Sequence, residues 1–389
     1  MNILFISYWS IKEGLTKSTV IPNVKILSGF KEISKIILVT IERDSLPKQS
    51  FIHPKIIHYP IQSRSFQIPL MDKLIDFYSI PRILTHLIHR HEIQKIIARG
   101  SPAGALAYLT WKKNMIPFYV ESFEPHATYM LETGVWHKWD LRYLLQIRWE
   151  KKQLKHASGL MPVSENYEKE LKSKGYPTEK IVTAPCAVDL ISFLFNKGDR
   201  DKIRQELNIG NQITGIYVGK FGGLYMGQEV INILEAAISY FKKFYLIILT
   251  PTAIPQIEKR LSSLTSDQFG YSIHHVNHEE VAPYLSAADF GLALYKFFKS
   301  SQNLSPIKIG EYWANGLPVL LTSGVGDENH FIEREEGGTL FDISNPFPAF
   351  QKIEQILKSE NYRTRIPKLA IKHRSFDPVI EAYRKLICS

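Results

Sequence analysis

The sequence predicts an α/β protein built from two doubly wound parallel sheets. Short runs rich in Ile, Val, Leu and Phe alternate with amphipathic stretches, which is the pattern of parallel strands covered by helices on both faces. The alternation occurs twice, and 389 residues with 44% hydrophobic and 22% charged side chains exceed one ordinary core. Strands are expected at 2–8, 35–41, 55–58, 95–99, 117–121 and 159–163 in the first half. In the second half they are expected at 213–218, 245–249, 272–275, 289–294 and 318–321, separated by helical stretches such as 228–240. The join falls between Pro185 and Asp199, where Pro-Cys-Ala-Val-Asp leaves the last front strand and Gly198-Asp199 opens a helix. This gives a first domain over 1–185, a second over 186–365, and a helical, basic segment over 366–389 that returns to pack on the first domain.

Composition removes several classes. The 21 Pro and 22 Gly have no period, which excludes collagen-like and low-complexity chains. Two cysteines, Cys186 and Cys388, exclude a disulfide scaffold and a cysteine-rich zinc module and fit a reducing compartment. No apolar run approaches the roughly 20 residues of a spanning helix, and the first residues lack a basic leader, so a cytoplasmic location is expected. No repeat of 20 to 50 residues is visible, against a solenoid.

The net charge of +10 lies entirely in the front: residues 1–185 carry 26 Lys and Arg against 16 Asp and Glu, and residues 186–389 carry 22 against 22. The tail, 351–389, is again basic, with 9 against 4. Both chain ends thus suit either a surface for anionic headgroups or an anionic substrate, or a solvated lysine-rich face.

Open parallel sheets bind ligands beyond the carboxyl ends of their strands, and three places there carry suitable residues. The strand 213–218 runs into Gly219-Lys220-Phe221-Gly222-Gly223, a lysine among small residues where a backbone approaches phosphate oxygens. It lacks both Gly-x-Gly-x-x-Gly and the Lys-Ser/Thr ending of a nucleotide-hydrolysing loop. After the strand 289–294 comes a polar loop containing Asn303, then Ser305 as N-cap, Pro306 at the first helical position and Asn315-Gly316 as the stop. Lys308 falls in the first turn of this helix, where the dipole disfavours a cation unless an anion joins it; a diphosphate resolves that conflict. Glu311 shares its face and suits sugar or ribose hydroxyls, with an i,i+3 surface ion pair as the plainer reading. The third place is Ser122-Phe123-Glu124-Pro125-His126, where Glu121, Glu124 and His126 either position an acceptor hydroxyl or simply order the Glu-Pro turn.

Other clusters carry less. His86, His89 and His91, and His274, His275 and His278, lack the spacing of a zinc site, so no metal is expected. Tyr129, Trp136, Trp139, Tyr143 and Trp149 interleave with Lys138, Arg142 and Arg148 as a membrane-facing patch, an acceptor cradle or ordinary helix packing.

Four segments together resemble the family 4-type retaining glycosyltransferases of the GT-B fold. They are Ala157-Ser158-Gly159-Leu160-Met161-Pro162-Val163-Ser164-Glu165, Ala184-Pro185-Cys186-Ala187-Val188-Asp189, Gly219-Lys220, and Ser305-Pro306-x-Lys308-x-x-Glu311-Tyr312-x-Ala314-x-Gly316-x-Pro318-Val319 followed by Gly324-Val325-Gly326-Asp327. The resemblance implies two Rossmann-like domains facing a central cleft, a nucleotide-sugar donor held mainly by the second, an acceptor by the first, and no metal or other cofactor. It implies donor contacts from Gly219, Lys220, Gly222, Gly223, Asn303, Ser305, Pro306, Lys308 and Glu311, and assigns Gly14, Glu121, Glu124 and His126 to the acceptor side. Lys220, Lys308, Glu311, His126 and Glu121 are the candidates for catalysis. Two departures stand out: Asn303 occupies the place of the first glutamate of the family's Glu-x7-Glu, and Tyr225-Met226 stands near the place of a second phosphate lysine, a charge Lys308 would then supply.

The expected function is sugar transfer from a nucleotide-diphosphate sugar to a hydroxyl of a glycan or lipid-linked saccharide, as in surface polysaccharide synthesis, with contact to an anionic membrane at its inner face. A nucleotide-sugar epimerase, or a non-enzymatic subunit binding anionic lipid or nucleic acid, are the rivals. No nucleic-acid recognition module appears, so nucleic acid is not an expected partner.

Overall fold

The computed structural model describes residues 1–47, 52–63, 69–222, 225, 227, 229–264, 267 and 269–388. They form two compact units, Met1–Ala187 with Phe376–Ser389, and Val188–Ser375. The 366–389 segment is shared between them: the helix Pro367–Arg374 lies in the second unit and the helix Asp377–Leu386 in the first.

The first unit holds strands β1 (Asn2–Ser7), β2 (Lys35–Glu42), β3 (Ile52–His53), β4 (Ile56–Gln62), β5 (Lys95–Arg99), β6 (Phe118–Phe123) and β7 (Gly159–Pro162), in the spatial order β3-β4-β2-β1-β5-β6-β7. All pairs are parallel except the short edge pair of β3 with β4. Side chains of a strand alternate between faces, and β1 is apolar on both. Leu4 and Ile6 pack with Leu84, Leu87 and Ile88 of the helix Pro69–His91 and with Leu106 and Ala107 of the helix Gly100–Asn114. Ile3 and Phe5 pack with Val24 and Leu27 of the helix Ile21–Ser28, and with Val379, Ala382, Tyr383 and Leu386 of the C-terminal helix.

The second unit holds β8 (Ile213–Val218), β9 (Phe244–Leu249), β10 (Phe269–His274), β11 (Phe290–Ala293), β12 (Val319–Thr322) and β13 (Gly338–Phe341), all parallel in the order β10-β9-β8-β11-β12-β13. Helices Glu229–Phe241 and Phe347–Lys358 cover one face, where Ile233, Leu234, Phe350 and Ile353 pack on Phe244, Leu246 and Phe290. Strands β3 and β13 were not anticipated. β13 is four residues long and begins at Gly338, whose φ of 151° and close approach to the Val319 backbone exclude a side chain there, so no apolar run announces it.

Among the described residues no helix is long and apolar enough to cross a membrane.

Candidate functional site

The carboxyl end of β8 leads into a turn in which Gly219 adopts φ 145° and Gly222 φ 84°, conformations that favour glycine. The turn is pinned from beneath: Gly219 N–H donates to Leu249 O at 2.9 Å, and the Tyr217 hydroxyl donates to Lys220 O. One residue earlier, Val218 N–H donates to the Tyr312 hydroxyl at 3.1 Å, which ties the turn to the helix Ile307–Ala314. The Lys220 side chain is exposed. Gly223, assigned to the donor from the sequence, lies outside the described residues, as does Met226.

The helix Ile307–Ala314 ends where Asn315-Gly316 predicts, Gly316 taking φ 79°. Its start differs. Pro306 occupies the N-cap position and no side chain caps the helix. Ser305 Oγ instead accepts from Arg374 Nη1, and Arg374 Nη2 donates to Glu328, a buried ion pair in the second unit. With Pro306 at the N-cap, Ser305 lies one residue outside the capping position, and its hydroxyl serves the arginine arriving from the helix Pro367–Arg374 in a charge-assisted bond.

Lys308 and Glu311 are both 5% exposed, so the surface ion pair does not form. The Lys308 amine has no hydrogen-bond partner among the described residues. Tyr217, Tyr225 and Tyr295 surround it, with ring centroids 4.9, 4.3 and 5.1 Å from Nζ. It also faces the turn after β8, since a Cβ added at Gly219 would stand 2.9 Å from Nζ. Burial pulls this amine down to about 7, with Glu311 pulling the other way. Glu311 Oε1 lies 3.0 Å from His278 Nε2, and the His278 ring meets Phe193 edge-on at 5.4 Å. Asn303 is buried eight residues before Glu311, at the end of a 3-10 turn, and Gly326 N–H, from the loop after β12, donates to Ser301 O of that turn at 3.0 Å.

The second unit therefore brings Gly219, Lys308 and Glu311 into one structure with Tyr217, Tyr225, Tyr295 and His278, which sequence reasoning missed. Two of these tyrosines had a signal: Tyr217 stands one residue before the end of β8 and Tyr295 two residues beyond β11, each a polar aromatic residue beside an apolar run. His278 had none beyond its neighbours.

In the first unit, Glu121 at the end of β6 is 2% exposed and fully engaged. Oε1 accepts from Arg99 Nη1 at 2.8 Å and from Asn23 Nδ2 at 3.3 Å, and Oε2 accepts from the Tyr383 hydroxyl. This carboxylate joins three segments of chain, and its surroundings open on a small pocket with Thr19, Ser122 and Cys186. Glu124 stands on the loop beyond it and His126 opens the helix His126–Glu132, His126 Nδ1 4.0 Å from Glu124 Oε1 and its ring edge-on to Trp136 at 5.6 Å. Desolvation pushes the Glu124 carboxyl up to about 7 against the pull of Arg99. Gly14 is exposed, in the segment after β1. Among the described residues no group of His, Cys, Asp and Glu could hold a metal ion.

Residues 36–191 match the model of Glycosyltransferase Family 4. No curated protein sequence matches the chain. Among solved structures, sucrose-phosphate synthase from Thermosynechococcus elongatus is similar with a TM-score of 0.75 at 15% identity, over 100% of this chain and 99% of the other. HepE of Anabaena, in complex with UDP and glucose, gives 0.72 at 12% identity, over 100% of both chains. WaaG, a glycosyltransferase involved in lipopolysaccharide biosynthesis, gives 0.63 at 15% identity, again over 100% of both. These likenesses identify the two units as the Rossmann-like domains of the GT-B fold.

Proposed function

We propose that this chain, a family 4-like glycosyltransferase of the GT-B fold, moves a sugar from a nucleotide-diphosphate sugar to a hydroxyl of a glycan or lipid-linked saccharide, with retention of anomeric configuration and without a metal. The observation that carries the reading is the buried Lys308 amine, without a partner among the described residues, beside the bare Gly219 backbone. An unpaired buried donor is costly, and a diphosphate is the ligand that removes the cost at this place. As the sugar–phosphate bond breaks, negative charge grows on the leaving diphosphate, and in this reading Lys308, Lys220 and the amides of the first helical turn meet it. Glu311, oriented by His278, accepts from ribose or sugar hydroxyls. In this reading the acceptor oxygen attacks on the face the diphosphate leaves, with no covalent intermediate on a carboxylate. The HepE structures contain UDP or UDP-glucose, which makes uridine the first base to try.

The acceptor side is assigned to the first unit, around Glu124 and His126. Trp139, 80% exposed, stands with exposed Val135, Leu141 and Leu144 among Lys138, Arg142 and Arg148, which supports contact with an anionic bilayer carrying the acceptor at the cytoplasmic face.

The test is thermal unfolding of the purified chain, without metal, against UDP, GDP, ADP, CMP and their common sugar conjugates. A ligand bound by the folded state alone stabilises by about 2.7 kcal/mol at a hundredfold excess over its dissociation constant. One diphosphate nucleotide should raise the melting temperature clearly, and Glu311→Ala or Lys220→Ala should lose most of that rise. No rise with any nucleotide, or full turnover in a folded Glu311→Ala variant, overturns the reading.

A further inference from the structure

Lys308 occupies surroundings that ordinary phosphate lysines, solvated or paired, do not share. Three tyrosine rings from three separate segments enclose its amine, and no described oxygen accepts from it. Aromatic faces hold a cation without occupying its N–H donors, but they do not replace water or an anion for a buried ammonium. The charged and titratable groups around it are these. On its own helix, Glu311 is the carboxylate that acts on the amine, and His278 already engages that carboxylate at 3.0 Å. Burial holds the hydroxyls of Tyr217, Tyr295 and Tyr312 above their ordinary range, so they remain neutral. Arg374 and Glu328, at the start of the helix, are paired with each other.

We propose that the tyrosine cage makes Lys308 a proton-coupled clamp: its amine stands neutral in the empty site and takes up one proton from solvent as a nucleoside diphosphate reaches the Gly219 turn, the new ammonium then donating to the diphosphate oxygens. This rests on the donor-site reading above and adds to it a linked proton and three positioning residues. The arriving diphosphate supplies the anion the empty site lacks, and its charge favours the protonated amine. The cage aims the amine at the turn, so that donors unused in the empty site become available to phosphate. Because burial lowers this amine to about 7, the uptake belongs to the pH range above that value and fades below it.

Isothermal titration calorimetry of the full chain with UDP, run at pH 8 in HEPES and in Tris, tests this, since the two buffers differ in ionisation heat and UDP is fully ionised at that pH. Close to one proton should be taken up per UDP bound at pH 8, and little at pH 6. Lys308→Met keeps length and apolar packing and removes the amine; it should fold at least as stably as the wild-type chain and bind UDP at pH 8 without proton uptake. Tyr225→Leu should weaken UDP binding by about tenfold, and Tyr225→Phe, which keeps the ring, should restore most of the loss. UDP binding at pH 8 with no net uptake, or the same uptake in Lys308→Met, overturns the clamp while leaving the donor site standing. No UDP binding at either pH in the folded wild-type chain overturns the donor-site reading, and the clamp with it.

Discussion

Glu150, on the helix Leu141–His156, carries a carboxyl on which the placement of His126 depends. Its Oε1 accepts from Ala127 N–H at 2.9 Å and from Gln146 Nε2 at 3.0 Å, which fixes the start of the helix His126–Glu132 and hence the place of His126. Burial pushes this carboxyl up from 4.5 to about 8, the charge of Glu124 adding to the effect and the two donors opposing it. Between those two values the folded chain binds more protons at this site than the unfolded chain does. Its contribution to stability is therefore lost as pH rises through that window, and is level above about 8. Glu150→Gln keeps the accepting oxygen and mimics the neutral acid. Urea unfolding should find the variant within about 0.5 kcal/mol of the wild-type chain at pH 4.5 and more stable by on the order of 2–4 kcal/mol at pH 8.5, since each tenfold change in proton affinity is worth roughly 1.4 kcal/mol. Equal stability at both pH values would show that the carboxyl is ionised in the fold without a desolvation cost.

The same helix shows what an element reveals when its faces are compared. Its buried positions are Gln146, Glu150 and Gln153, and although Trp149 and Leu154 pack on the core, Leu141 and Leu144 are exposed, unlike the leucines of an ordinary surface helix. Trp139 stands just before it with the Lys138 ammonium 5.4 Å from its ring. An apolar strip set among cations fits the interface of an anionic bilayer, where rings and leucines enter the headgroup boundary and lysines meet phosphates. Sedimentation with vesicles should show binding to phosphatidylcholine containing phosphatidylglycerol and little to phosphatidylcholine alone, with Trp139→Ser/Leu144→Ser weaker by about tenfold or more, since each buried CH₂ contributes ~0.8 kcal/mol. Undiminished binding by that variant would exclude this face. The elements that could be read from the sequence share one property: their signal is local. Ile3-Leu4-Phe5-Ile6 announces a strand buried on both faces, and Asn315-Gly316 announces a helix stop, because neighbours in sequence decide both. What stayed hidden is pairing at a distance. His278 meets Glu311 across 33 residues and Tyr383 meets Glu121 across 262, and neither local pattern nor charge marks such partners. For the same reason the cage around Lys308, drawn from three segments, could not be assembled from spacing, although Lys308 itself could be singled out by its conflict with the helix dipole.

At the scale of the whole molecule the chain leaves the first unit at Ala187, builds the second, and returns at Phe376 to complete the first. The return is structural for that unit. The helix Asp377–Leu386 fills the second face of its sheet with Val379, Ala382, Tyr383 and Leu386, its Tyr383 hydroxyl serves Glu121, and Lys95 Nζ donates to Ile387 O at 2.5 Å. Leu386 packs where Gly159 leaves room, a Cβ there standing 3.1 Å from its Cδ1. Leu386→Ala should therefore open a cavity that costs about 2–5 kcal/mol, and the loss should be confined to the first unit although the whole of the second lies between the mutated residue and β7 in sequence. Amide exchange gives the readout, because protection falls only in the cooperative unit that has lost free energy. Strands β1, β2, β5 and β6 should exchange faster by about two to three orders of magnitude, at a factor of roughly ten per 1.4 kcal/mol, with β8, β9, β11 and β12 unchanged. Equal loss of protection in both sets would mean that the two units unfold as one body, and that the returning helix stabilises the whole chain rather than the unit it completes.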